Sequence, residues 1–92
     1  MLKIRFSAKF KKDLKNVKKQ NLGFDEEEFK EVVNKLAEKE PLDEKYHDHP
    51  LKGKFAGTRE FHLKPDLLLM YKIVDNYLEL ILLRIGSHSE LF

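Results

Sequence analysis

Hydrophobic and polar residues alternate at the start of the chain. Leu2, Ile4 and Phe6 are separated by Lys3 and Arg5, the two-residue period of a half-buried β-strand. The period then changes: Phe10, Leu14 and Val17 recur at helical spacing, lysines occupy the other faces, and Ser7 stands where an N-cap is needed. A first helix is therefore predicted from residue 8, with Gly23 marking the break after it. A second helix is signalled more strongly. Asp25 and Glu28 make a capping-box-like pair, Phe24 is placed to staple onto Phe29, and Glu26, Glu27 and Glu28 sit at the positive end of the helix dipole. Phe29, Val32, Val33, Leu36 and Ala37 then form one apolar stripe, which Pro41 ends.

From Pro41 to Gly57 the periodicity dissolves into a long connection of the kind that is often functional. Three strand-like segments follow. Thr58 to Leu63 is short and mixed and ends at the turn cluster Lys64-Pro65-Asp66. Leu67 to Val74 is apolar and β-rich, Asp75-Asn76 reads as a tight turn, and Tyr77 to Ile85 is nearly continuous apolar, as in a strand central to a sheet. The predicted order is β-α-α-β-β-β. The fold class is α+β: two N-terminal helices on a twisted, mostly antiparallel four-stranded sheet, the last three strands a meander and the first added at one side.

Length limits this to one domain over residues 1–92, too small to be stable without good packing or a partner. No cysteine is present, so disulfides and thiolate metal sites are excluded. No stretch reads as a signal peptide or a membrane span, so the expected location is the cytoplasm, with no membrane partner. The net charge of +2 conceals an asymmetry: six lysines against one acid between Ala8 and Gln20, then seven acids between Asp25 and Glu40. Such a distribution permits a phosphate-bearing partner on one face, and equally describes two solvated helix faces.

Candidate chemistry lies in the second half. All four histidines fall there, and His49, His62 and His88 sit near strand ends that could meet at one edge of the sheet. RNA breaks when its 2′-hydroxyl is deprotonated and attacks the adjacent phosphorus. A catalyst for this supplies a base, an acid for the leaving 5′-oxygen, and positive charge for the phosphate. Imidazoles suit the first two roles and Lys or Arg the third. Glu60, Asp66 and Asp48 could orient an imidazole. His47, in a polar loop, reads as a solvated surface residue. His47-x-His49 is at most half of a metal site, so no metal and no cofactor is expected. Phe61 and Tyr71 read as core, whereas Phe92, at a terminus with little to hold it, could stack on a base.

Four segments in order carry a family resemblance: Tyr46-His47-Asp48-His49-Pro50-Leu51-Lys52-Gly53, Arg59 to Asp66, the apolar Leu67 to Lys72, and Arg84-Ile85-Gly86-Ser87-His88-Ser89-Glu90-Leu91-Phe92. Together they resemble the YafQ branch of the RelE/ParE toxin superfamily. The resemblance implies a RelE-like fold and the toxin of a type II toxin–antitoxin system. That toxin would be a ribosome-dependent endoribonuclease, monomeric when alone, acting on mRNA and neutralised by a cognate protein antitoxin. It also implies catalytic positions at His49, His62, His88, Glu60 and Asp66, and substrate contacts at Arg59, Arg84, Lys52 and Phe92. The family carries aspartate where this chain has Glu60. The alternatives are a gyrase inhibitor of the ParE type, which shares the fold but lacks these histidines, or a silent module that binds RNA or antitoxin.

Overall fold

The computed structural model describes residues 1–20 and 23–92. Strand β1 (Lys3–Phe6) leads into helix α1 (Ala8–Lys19), capped as expected by Ser7, whose hydroxyl accepts from the Phe10 N–H at 3.0 Å. Helix α2 (Glu26–Ala37) starts at Asp25, whose carboxylate accepts from the N–H groups of Glu27 and Glu28. The reciprocal half of a capping box is absent, because the Glu28 carboxylate turns instead to the Tyr46 hydroxyl at 3.0 Å and Lys64 at 2.9 Å. The aromatic staple does form, with the Phe24 and Phe29 rings 5.6 Å apart.

The sheet has five strands rather than four, in the order β1-β5-β4-β3-β2. The extra strand is β2 (His49–Pro50), a two-residue ribbon inside the connection that reads as irregular; it lies antiparallel to β3 (Arg59–Lys64). No periodicity can show in two residues. Strands β3, β4 (Leu67–Val74) and β5 (Glu79–Gly86) form the antiparallel meander, and β1 pairs parallel to β5 at the far edge. The link between β4 and β5 is a 3-10 turn, Asp75–Tyr77, closed by Leu78 in a left-handed conformation, not a two-residue hairpin. A last short helix, α3 (His88–Leu91), is capped reciprocally by Ser87 and Glu90.

Both long helices pack on one face of this sheet. Phe10 and Val17 of α1 and Phe29, Val32, Val33, Leu36 and Ala37 of α2 share a core with Phe61, Leu63, Leu67, Leu69, Tyr71, Leu80, Leu82 and Ile85. Each valine, leucine, isoleucine and phenylalanine among them contributes about 1.5–3 kcal/mol by leaving water. Strand alternation sends the intervening residues to the opposite face, where Glu60, Leu68 and Met70 are also buried. That second face carries the histidines.

Candidate functional site

Register builds the site. His49 of β2 stands opposite Glu60 of β3, which stands opposite Met70 of β4; one step along, His62 stands opposite Leu68, and Leu68 opposite Gly86. Directly opposed residues share a face, so His49, Glu60 and His62 project together from the side of the sheet away from the helices.

Glu60 is the centre of this group. Its side chain is 6 % exposed, and its Oε1 lies 3.5 Å from Nε2 of His49 and 3.9 Å from Nε2 of His62. Its Oε2 is buried and has no hydrogen-bond partner among the described residues. A buried carboxylate costs free energy unless it is paired, and the two imidazoles are the partners on offer. Both rings present the same nitrogen to it. Nδ1 of His49 lies 2.6 Å from the His47 carbonyl oxygen, and Nδ1 of His62 lies 3.3 Å from that of Pro65. A carbonyl only accepts, so each Nδ1 carries a hydrogen and each Nε2 is left to exchange a proton. The rings lie 6.2 Å apart. The arrangement can therefore take up, hold and release protons at an exposed edge.

The remaining expected residues divide into two groups. Asp66, in the β3–β4 turn, accepts from the His88 N–H at 3.0 Å, so its carboxylate holds the start of α3 beside the turn that orients His62. Phe92 closes on the same corner, 5.2 Å from the His88 ring and 5.3 Å from Phe55, while remaining half exposed. Lys52 is exposed and makes no ion pair among the described residues. A cavity of about 490 Å³ adjoins His62, lined also by Tyr46, His47 and Lys64. The two arginines are differently placed. Arg84 is held by Asp13 of α1 through Nε at 2.7 Å and Nη2 at 3.1 Å, and this bond raises its pKa. Arg59 points to the helix side, where its Nε lies 3.2 Å from the Tyr71 hydroxyl and 3.4 Å from Asp48. Burial opposes the charge on Arg59, yet Tyr71 and Asp48 outweigh it and its pKa rises. Both guanidiniums are thus engaged by carboxylates of the chain itself.

Two features escape sequence reasoning. Asp48 is bonded to the Tyr71 hydroxyl at 2.6 Å, and burial, followed by that bond, raises the Tyr71 pKa. His47 is exposed as expected, but its backbone is left-handed, with φ of 48°. A hydroxyl-bearing ring within an otherwise apolar strand was the one available hint. Among the described residues no set of three or more His, Asp or Glu side chains is arranged to hold a metal ion.

Imidazoles and carboxylates gathered on the face of the sheet away from the helices suit proton transfer. Solved bacterial toxins share this architecture. A metal-bound toxin from Helicobacter pylori superposes with a TM-score of 0.91 at 54% identity, with both chains covered completely. The E. coli DinJ–YafQ complex contains a chain that superposes at 0.85 and 34% identity, covering 100% of this chain and 99% of that one. The mRNA interferase toxin YafQ of Escherichia coli K12 is 36% identical over 90 residues, 97% of this chain and 94% of its own length. Residues 2–92 match the family model described as the bacterial toxin YafQ of type II toxin–antitoxin systems, and the chain belongs to that family.

Proposed function

We propose that this protein is an mRNA-cutting endoribonuclease, neutralised by a cognate antitoxin, that acts by acid–base transesterification on mRNA held at the ribosome. The observation that carries the chemistry is the pair of Nε2 atoms, from His49 and His62, converging on one oxygen of buried Glu60. The mRNA interferase activity of the relatives and the DinJ–YafQ toxin–antitoxin complex support the substrate class and the partner.

In this reading His49 or His62 removes the proton of the 2′-hydroxyl, and the resulting oxyanion attacks phosphorus. His88 delivers a proton to the departing 5′-oxygen. The products are a 2′,3′-cyclic phosphate and a 5′-hydroxyl. Glu60 accepts or returns the proton that the base carries, and Asp66 keeps His88 at the same corner through its main-chain N–H. The gaps of 3.5 and 3.9 Å are longer than a hydrogen bond, as is common in catalytic groups before substrate tightens them. Phe92 offers a stacking surface for a base and Lys52 a charge for phosphate. Arg59 and Arg84, already paired, hold the strands that carry the site; Arg59 does so from the helix side, and Arg84 has an N–H group left over for a nearby phosphate.

His49→Ala, His62→Ala and His88→Ala, assayed one at a time on translating ribosomes with the RNA ends identified by mass spectrometry, test this directly. Each is expected to lose about 100-fold or more in rate, the scale of a general acid or base. Cleavage surviving all three changes overturns the assignment. One relative is a metal-bound toxin, so the same assay compares untreated protein with protein stripped by EDTA and desalted before it meets the ribosomes in magnesium buffer. The mechanism proposed here requires equal rates, and cleavage by ribosome-free controls at the same rate would remove the ribosome from the reading.

A further inference from the structure

His49 is held by surprisingly little regular structure. Its strand is two residues long and lies at a sheet edge, and the second residue, Pro50, has no N–H to donate. Catalytic groups need to be held within about 0.5 Å of a productive geometry, which a ribbon of this kind does not ensure. The groups on the opposite face supply what is missing.

Asp48 immediately precedes His49. Its Oδ1 receives the Tyr71 hydroxyl at 2.6 Å and lies 3.4 Å from Arg59 Nε, which itself donates to the Tyr71 oxygen at 3.2 Å. Tyr71 is 1 % exposed and belongs to the main core. The core requires only its ring, which phenylalanine would supply equally well. A buried hydroxyl must find a partner, and among the described residues this one bonds only to the carboxylate beside His49 and the arginine that braces it. One residue further back, His47 adopts φ 48° and ψ 46°, a conformation of higher energy for a residue with a side chain. That turn brings the His47 carbonyl to 2.6 Å from Nδ1 of His49. Glu44 and Tyr46 anchor the turn from behind, the first by its carbonyl to the His47 N–H and the second by its hydroxyl to Glu28.

We propose that Asp48, held from the core by Tyr71 and Arg59, and the left-handed turn at His47 form the positioning device of His49. The clamp holds the ring where its Nδ1 meets the carbonyl that the turn presents, so the two together set which nitrogen carries the hydrogen. Tyr71, Asp48, Arg59 and the His47 backbone are positioning residues; none faces the substrate side as His49 does. The inference builds on the reading of His49 as a proton-transfer group.

The test joins kinetics to a spectroscopic readout of the ring. Tyr71→Phe and Asp48→Ala are compared with wild type and with His49→Ala in ribosomal cleavage. Side-chain ¹H–¹⁵N spectra of the histidines are recorded on the same proteins in isolation. The clamp requires kcat to fall about 10–100-fold in both variants with KM little changed, the range for losing a supporting contact. It also requires the His49 resonances, of the Nδ1–H form in wild type, to become a mixture of tautomers. His47→Val is expected to produce the same mixture, whereas His47→Gly, which tolerates the left-handed turn, keeps the wild-type tautomer. An unaltered His49 pattern in both Tyr71→Phe and Asp48→Ala overturns the clamp. Tyr71→Phe keeps the ring in the core, so the comparison survives if Asp48→Ala folds poorly. Should His49→Ala cut RNA normally, the catalytic reading fails, while the tautomer pattern still decides whether the clamp exists.

Discussion

Replacing Asp13 by alanine removes the tie between α1 and the last strand. The Asp13 carboxylate accepts from Arg84 Nε at 2.7 Å, from Arg84 Nη2 at 3.1 Å and from the Ile85 main-chain N–H at 3.2 Å. The side chains are 15 % and 29 % exposed, so the pair is neither a surface ion pair nor a dry one. Exposed pairs are worth about 0–1 kcal/mol. Stripping one partner from a fully buried pair costs about 3–5 kcal/mol. The Ile85 N–H left without its acceptor adds about 1 kcal/mol. Weighing residual hydration, the expected loss is about 2–3 kcal/mol. A domain of this kind has about 5–15 kcal/mol in total, so the variant folds, weakly. Its urea midpoint falls on the order of 1 M or more, given slopes of about 1–3 kcal/mol per molar. With no tryptophan in the chain, tyrosine fluorescence and circular dichroism follow the transition. Arg84→Met and the double variant complete a cycle, whose coupling is expected to exceed about 1 kcal/mol. A loss below about 0.5 kcal/mol, the ordinary scatter of surface changes, refutes the argument. It would mean that water replaces Asp13 at no cost, and that α1 does not brace the strand leading to His88.

Other expectations follow from the same structure. Phe10→Ala empties a fully buried position whose ring lies 6.2 Å from that of Phe29 and is expected to cost about 3–5 kcal/mol in urea unfolding. The Tyr46 phenol is pushed up to about 12 by burial and by its bond to Glu28, and Tyr71 is raised as well. A folded-state pKa above the unfolded value of about 10 gives stability that is complete below pH 10. That contribution drains away as pH rises from there toward 12, so Tyr46→Phe should flatten alkaline unfolding monitored by tyrosinate absorbance. Glu60→Gln keeps the shape but cannot accept a proton. Ribosomal cleavage by this variant is expected to fall about 100-fold, and a rate equal to wild type would leave Glu60 a purely structural group. Ser87→Ala removes the hydroxyl that accepts from the Glu90 N–H, leaving only the main-chain half of the α3 cap, for a loss of about 1 kcal/mol, and should loosen His88 in amide exchange while β4 stays protected.

Local periodicity determined most of the framework. The stripe from Phe29 to Ala37, the Ser7 and Asp25 caps and the apolar run of β4 depend on neighbours within a few residues, and such patterns are complete in the sequence itself. So is the supply of histidines, carboxylates and a terminal aromatic, and the order of motifs that carries the family resemblance. What the chain order could not contain is cross-strand register. The meeting of His49 with Glu60 depends on β2, a strand too short to have a period, and the shared orientation of both imidazoles depends on carbonyls at His47 and Pro65. The same holds for the arginines. As residue types Arg59 and Arg84 suit phosphate, but the fold brings Asp48 and Asp13 against them from 11 and 71 residues away. Which charges are spent inside a protein, and which remain for a substrate, is decided by distance in space, and only the folded chain sets that distance.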